Sequence, residues 1–310
     1  MRTVVVTGAN AGIGFATAKF IARYPEWHVV LACRNQAKAQ TALNAIRESD
    51  SEASVSFLPL DLFSLKSVRR FAGELEEQGL PPLQGLILNA GGINMKAKSL
   101  EFTEDGFERT FQLNFLGHFL LTSLLVKRME PPSRIVFVSS DLHDPKATKM
   151  GKFAPPRFGP VADAAFGRGA FAKMNPMARY GSAKMFAMMC AREFDRRLRV
   201  DGQPNGVTIN SWSPGVVPTT DAGRDMPPVL RQIMMSAPFV KFMGSHLSTE
   251  SEAAGALGRL ILDPKFASIS GRYFDGFNEI LSSAESRDES KSKTVWEQAR
   301  TLAELTGALD

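Results

Sequence analysis

Cysteine is nearly absent: the 310 residues hold two, Cys33 and Cys190. Both fall in apolar surroundings, one on an expected strand and one on an expected helix, so each reads as a buried free thiol. That argues against a disulfide framework and fits a reducing, cytoplasmic setting. No grouping of His and Cys has the spacing of metal ligands, so no metal site is expected. No uninterrupted apolar run reaches the roughly 18 residues of a membrane-spanning helix. A first strand beginning at Thr3 carries the further expectation of neither signal peptide nor N-terminal anchor. The net charge of +5 is mild, and the Lys and Arg are scattered rather than clustered. A solvated surface with no nucleic-acid partner is the expectation. Internal repeats and Gly/Ser linkers are missing too, which leaves 1–310 as one domain.

What is present is a rhythm. Apolar runs of strand length at Thr3–Thr7, His28–Ala32, Ser54–Leu58, Leu86–Leu88 and Arg134–Ser139 alternate with helix-period segments. Those segments are Gly12–Tyr24, Gln36–Glu48, Leu65–Gln78 and a long one over Glu104–Lys127. Continuous apolar strands separated by helices predict an α/β fold, a doubly wound parallel sheet covered on both faces. The rhythm breaks over 141–178, an insertion rich in Pro, Gly, Lys and Phe. It resumes with a helix over Arg179–Arg199, a strand at Thr208–Ser211, a capped helix at Ser248–Leu262 and a last strand at Gly271–Phe274. The tail, 282–310, alternates charges and predicts an amphipathic helix over Trp296–Leu305.

Four motifs carry chemistry. Thr7-Gly8-Ala9-Asn10-Ala11-Gly12-Ile13-Gly14 follows the first strand and opens the first helix. Glycines there allow a tight turn and close backbone approach, and the helix N-terminus offers N–H groups to a pyrophosphate. After the second strand the chain reads Ala32-Cys33-Arg34-Asn35, with no acid for an adenosine ribose hydroxyl. Arg34 suits a 2′-phosphate instead, which points to NADPH/NADP+. Asp61-Leu62 could meet the adenine amino group or serve as a helix cap. Tyr180 and Lys184 lie one helical turn apart. An ammonium beside a phenol is expected to lower its pKa and make it a usable proton donor or acceptor.

Together with Asn89-Ala90-Gly91 and the Ser139-Ser140 pair, these residues resemble the short-chain dehydrogenase/reductase family, from Thr3 to about Tyr273. The resemblance implies a single Rossmann-type NADP-binding domain. It implies a catalytic Asn114, Ser140, Tyr180 and Lys184. Tyr180 would exchange the proton, Ser140 would hydrogen-bond the developing charge, Lys184 would hold the nicotinamide ribose, and Asn114 would position a relay water. Gly8, Asn10, Gly12, Ile13, Gly14, Arg34, Asn35, Asp61, Leu62, Asn89, Ala90 and Gly91 would line the cofactor. Pro214 and Gly215, with Thr219 or Thr220, match the segment that holds the nicotinamide amide. His118 is expected to pack inside, and His143 to serve the loop. Many members pair through the helices carrying Asn114 and Tyr180, so homodimer and monomer both stay open.

One branch looks closer. The long gap from Ser140 to Tyr180, the 151–156 and 102–108 segments, Ser270-Gly271-Arg272-Tyr273 and Val295-Trp296 are similar to light-dependent protochlorophyllide reductases. Ala32-Cys33-Arg34 is shared with retinol-dehydrogenase-like members as well. Those reductases carry cysteines where this chain has Val216 and Phe186, and a Tyr where it has Ser213. These departures, expected beside the reacting ring, point to another bulky substrate. Phe153, Phe158, Phe166 and Phe171, with Met174 and Met177, suggest an adaptable apolar pocket over the strand ends. The expectation is an NADPH-dependent oxidoreductase moving hydride to or from a carbonyl or alcohol carbon of an apolar molecule. The alternatives are a C=C reductase of the protochlorophyllide type and a non-catalytic NADP(H)-binding protein.

Overall fold

The computed structural model describes residues 1–97, 99–200, 203–218, 232 and 236–306. The predicted strands form: β1 (Arg2–Thr7), β2 (Trp27–Cys33), β3 (Val55–Pro59), β4 (Leu83–Leu88), β5 (Ser133–Val138), β6 (Val207–Ser213) and β7 (Tyr273–Asp275). Val4, Val5 and Val6 are fully buried, as are Leu86 and Ile87, because helices cover both faces of the sheet. An eighth strand, β8 (Asn278–Ile280), pairs antiparallel with β7. Asp275-Gly276 before it is a hairpin signal that the sequence reading passed over. The order is β8-β7-β6-β5-β4-β1-β2-β3, parallel except for β8. The direction of winding reverses between β1 and β4, which opens a crevice beyond their carboxyl ends.

Helices α1 (Gly12–Ile21), α2 (Gln36–Ser49) and α3 (Leu65–Glu77) fall within a few residues of expectation. The long helix differs. It starts at Arg109, not Glu104, because 102–108 close a turn in which Thr103 N–H meets the Phe107 carbonyl at 2.9 Å. The Glu108 carboxylate then caps the new start, accepting from Phe111 N at 2.7 Å. The helix α4 runs through Arg109–Phe111, widens to a π-turn at Gln112–Leu116 and continues as Gly117–Leu125.

The insertion is not a loose loop. It holds short helices at Lys149–Phe153 and Val161–Ala165, and it feeds α5 (Pro176–Arg197), whose start is capped by Asn175. Phe171 is 3% exposed and Phe153 is 76% exposed. Phe158 and Phe171 pack on Phe186, and Phe166 on Phe107. Helix α6 (Glu250–Leu262) begins with a reciprocal Thr249/Glu252 capping box. The tail helix α7 (Glu289–Leu302) starts seven residues before the expected Trp296, because Asp288 accepts from Lys291 N and caps it there. Trp296 is fully buried, its ring 4.3 Å from Phe194 of α5 and 5.2 Å from Phe119 of α4.

Candidate active site

The crevice between β1 and β4 is built by close backbone approach. Gly8 has φ +68°, and a Cβ on Gly14 would lie 2.5 Å from the Gly8 carbonyl oxygen and 2.4 Å from Asn89 Nδ2. No side chain larger than hydrogen fits at Gly14. Ala11, before α1, makes no side-chain cap, so the first N–H groups of the helix keep no side-chain acceptor. Asn89 Nδ2 donates to the Thr7 carbonyl at 2.9 Å, and Ala90 N–H to Thr7 Oγ1 at 2.9 Å. Asn89-Ala90-Gly91 is thereby laid along the end of β1. Thr7 Oγ1 also meets His118 Nε2 at 3.2 Å, so His118 packs inside as expected.

The residues expected to meet the adenosine lie beyond β2 and β3. Arg34 is exposed, with its guanidinium 5.1 Å from the Phe63 ring centre. Arg109 covers the same ring at 4.5 Å, a second cation that the sequence reading missed because it comes from α4. Asn35 Oδ1 accepts from Lys38 N and caps α2. Asp61 Oδ1 accepts from Phe63 N at 3.0 Å and closes a turn, and Leu62 is buried. Asn10, Gly12 and Ile13 line the turn into α1 and are partly exposed. Pro214 and Gly215 follow β6, and Gly215 lies so near His246 that a Cβ would be 2.5 Å from its ring. Thr219 and Thr220 lie outside the described residues.

Asn114, Ser140, Tyr180 and Lys184 converge at the ends of β4 and β5. Lys184 is 2% exposed, and its Nζ donates to the Val138 carbonyl at 2.7 Å and lies 5.6 Å from the Tyr180 ring centre. A Cβ on Gly91 would sit 3.2 Å from that Nζ and 2.6 Å from Asn114 Oδ1, so the β4 loop touches both. The Ser140 hydroxyl lies beside the Tyr180 phenol; its Oγ accepts from Leu142 N at 3.3 Å and lies 3.3 Å from Asp141 Oδ1. The Asn114 side chain is committed elsewhere. Its Oδ1 accepts from Gly92 N at 3.0 Å, and its Nδ2 donates to Gly92 O at 3.0 Å and Thr110 O at 2.9 Å. Asn114 thus clamps the β4 loop with its amide. Among the described residues no group of His, Cys, Asp and Glu could hold a metal ion. Nor is any helix long and apolar enough to cross a membrane.

A family model described as short chain dehydrogenase matches residues 2–152. The WW domain-containing oxidoreductase of Danio rerio is 34% identical over 98% of this chain and 68% of its own length. The chain belongs to the short-chain dehydrogenase family. Protochlorophyllide reductase A of rice is 32% identical over 97% of this chain and 80% of that protein. A crystal structure of an uncharacterized protein from Mycobacterium paratuberculosis superposes with a TM-score of 0.69 at 26% identity, covering 98% of this chain and 94% of that one. The expected fold, a mostly parallel sheet wound on both sides, is that of the family.

Two expectations change within this dehydrogenase frame. Lys184 was expected to lower the Tyr180 phenol, yet burial dominates and pushes Tyr180 above its usual range. The Ser140 hydroxyl beside it opposes that push, and the nearby Asp141 carboxylate adds to it. The cation itself is weakened, since burial lowers Lys184 from 10.5 to about 7. At neutral pH the amine is then charged only part of the time, so its pull on a phenolate is weak and burial decides the Tyr180 shift. Phe186 is the other correction. It is fully buried among Phe111, Phe115, Phe158 and Phe171, on the core side of α5 rather than beside the reacting centre. Both cysteines are inert thiols: burial raises Cys33 to about 12, and Cys190 upward as well.

Proposed function

We propose that the chain is an NADPH-dependent oxidoreductase. It passes hydride between the nicotinamide and a carbonyl or alcohol carbon of a bulky, mostly apolar molecule, with Tyr180 as proton partner. The observation that carries this reading is the meeting of Tyr180, Ser140 and Lys184 beside the crevice at the strand reversal. NADPH, when bound, supplies the hydride. Gly8, Gly12 and Gly14 with the start of α1 would hold its pyrophosphate, because there the backbone packs closely and the first N–H groups of the helix have no side-chain cap. Arg34, with no acid beside it, would hold the 2′-phosphate. Lys184 would meet the ribose, and Pro214 and Gly215 the nicotinamide amide.

In the reducing direction Tyr180 gives its proton to the substrate oxygen as charge builds there, and a phenol that stays protonated at neutral pH is ready to do so. Ser140 donates a hydrogen bond to the same oxygen. Asn114 keeps the β4 loop in place through Gly92. The cytoplasmic setting belongs to this reading and rests on the two buried free thiols.

A panel of ketones, aldehydes and enones followed by NADPH absorbance tests it, with NADH as control. Tyr180→Phe is expected to lower turnover by about 10²–10⁴-fold while leaving NADPH affinity nearly intact. Retained turnover removes the assignment, and a clear preference for NADH removes the role given to Arg34. Reduction of a C=C bond is the second reading. Two facts favour it: the similarity to rice protochlorophyllide reductase A, and the burial of Phe186, which removes one of the objections to it. Enone turnover with ketones inert would select it.

A further inference from the structure

His143 lies three residues beyond Ser140 and is 1% exposed. Both ring nitrogens are used. Nδ1 is 2.7 Å from the Ser140 carbonyl oxygen, which can only accept, so Nδ1 carries the proton. Nε2 is 3.1 Å from the backbone N–H of Ser283, which can only donate, so Nε2 keeps its lone pair. Two bonds of opposite sense fix one neutral tautomer. The ring stands edge-on to Tyr273 at 5.2 Å and 77°. Burial favours the neutral form, against the Ser140 carbonyl and the carboxylates of Asp144 and Asp141.

The partner on the far side is a compact serine turn in the tail. Ser286 Oγ donates to the Ser283 carbonyl at 2.9 Å and lies 2.9 Å from Ser282 Oγ, and Arg287 Nε holds the Ser282 carbonyl at 3.1 Å. The same tail then packs Trp296 on α5. The tail thus reaches the site twice: through Trp296 to the helix of Tyr180 and Lys184, and through His143 to the backbone of Ser140.

We propose that His143 is a positioning residue. Its Nδ1–H joins its own backbone N–H, 3.1 Å away, on the Ser140 carbonyl and so steadies the turn in which Leu142 N and Asp141 Oδ1 each meet the Ser140 hydroxyl at 3.3 Å, and its Nε2 makes the 282–287 turn part of the active-site scaffold. The inference rests on the role given above to Ser140, and it adds a residue and a tail contact outside the four motifs named above.

The two bonds can be separated with the intact chain. An Asn amide nitrogen reaches where Nδ1 sits, and a Gln amide oxygen reaches where Nε2 sits. His143→Asn keeps the donor to Ser140 and drops the acceptor for Ser283, and His143→Gln does the reverse. With 9,10-phenanthrenequinone as carbonyl probe, His143→Gln is expected to lose about tenfold or more in kcat with NADPH affinity unchanged. His143→Asn is expected to keep kcat near wild type while the 282–288 segment becomes faster to cleave in limited proteolysis. Nitrogen-15 NMR of the imidazoles, which needs no turnover, is expected to show His143 as the Nδ1–H tautomer at neutral pH. An Nε2–H tautomer overturns the proposal, as does wild-type kcat in His143→Gln. Equal losses of kcat and melting temperature in both variants overturn it too, because they describe mere packing. Ser140→Ala separates the two levels. If it stays fully active, the reading of the site fails; if it is inactive while His143→Gln is normal, only the His143 proposal fails.

Discussion

The cradle beyond β1, β2 and β4 and the wall made by the insertion and tail use their residues in opposite ways. In the cradle the side chains withdraw. Gly8, Gly12 and Gly14 bring backbone to the crevice, and Thr7, Asn89 and Asn114 spend their polar atoms on neighbouring main chain. In the wall the side chains crowd inward. Phe158 and Phe171 pack on Phe186, Trp296 packs on Phe194, and Phe115 and Phe119 of α4 join the two groups along α5, the helix of Tyr180 and Lys184. One region creates a space for a ligand. The other removes the freedom of the helix that faces that space. Catalytic side chains are useful only when held to a fraction of an ångström, so on the proposed reading the apolar residues of the wall serve the chemistry by holding α5.

The strongest way to break that comparison is to empty the wall. Trp296→Ala deletes a fully buried ring packed against Phe194 and Phe119, with Arg197 stacked 4.8 Å from its centre. The expected cost is about 3–5 kcal/mol, read from denaturant unfolding. Its indole nitrogen has no hydrogen-bond acceptor, so Trp296→Phe keeps the aromatic contacts and leaves no polar group unpaired. That variant is expected to cost under about 1.5 kcal/mol. A Trp296→Ala protein of unchanged stability would show that the tail only leans on α5.

A smaller effect tests the boundary between cradle and wall, where Lys184 stands. Its folded pKa, about 7, lies below the unfolded value near 10.5. As pH falls from about 10.5 to about 7, the unfolded chain takes up a proton that the native chain refuses, so this lysine's contribution to stability is lost over that window and levels off below it. An anionic cofactor favours the ammonium. NADPH binding above pH 7 is therefore expected to take up a proton. The dissociation constant should rise by up to about tenfold per pH unit between roughly 7 and 9. Lys184→Arg, charged throughout, should flatten the dependence. Fluorescence titration across that range measures it, and an affinity independent of pH in the wild type contradicts the lowered lysine.

Legibility in the sequence divides along the same line. The glycine run, Arg34, Ser140 and the Tyr180–Lys184 pair stand in local frames, a strand end, a helix start or one helical turn, so spacing and the family resemblance together mark them as candidates. The wall is made of contacts far apart in the chain: His143 with Ser283, Trp296 with Phe194, Glu108 with Arg179 at 3.4 Å. Nothing local to Phe186 says whether it faces substrate or core. The same holds for Tyr180, whose shift is set by the protein packed around it rather than by the lysine four residues on. The π-turn at Gln112–Leu116 and the late start of α4 escape for a related reason, since periodicity reports that a helix exists and not where it widens or begins.

Phe153 gives the smallest effect and the finest division. It belongs by sequence to the same Phe-rich insertion as Phe171, yet it is 76% exposed at the end of the helix Lys149–Phe153, where Phe171 is 3% exposed. If every aromatic of the insertion were wall, both would carry packing energy. Exposure says otherwise: Phe153→Ser is expected to change stability by under about 0.5 kcal/mol, whereas Phe171→Ala should cost about 3–5 kcal/mol. Phe153 is the most exposed aromatic of the insertion, and the proposed function gives it an apolar substrate to meet. Its replacement should therefore raise KM for apolar probes severalfold with kcat and melting temperature unchanged. Steady-state kinetics on ketones of increasing chain length read this directly, since a contact with the apolar part grows with length and a surface residue's does not. Unchanged KM along the series would move Phe153 out of the site and leave the insertion as scaffold alone.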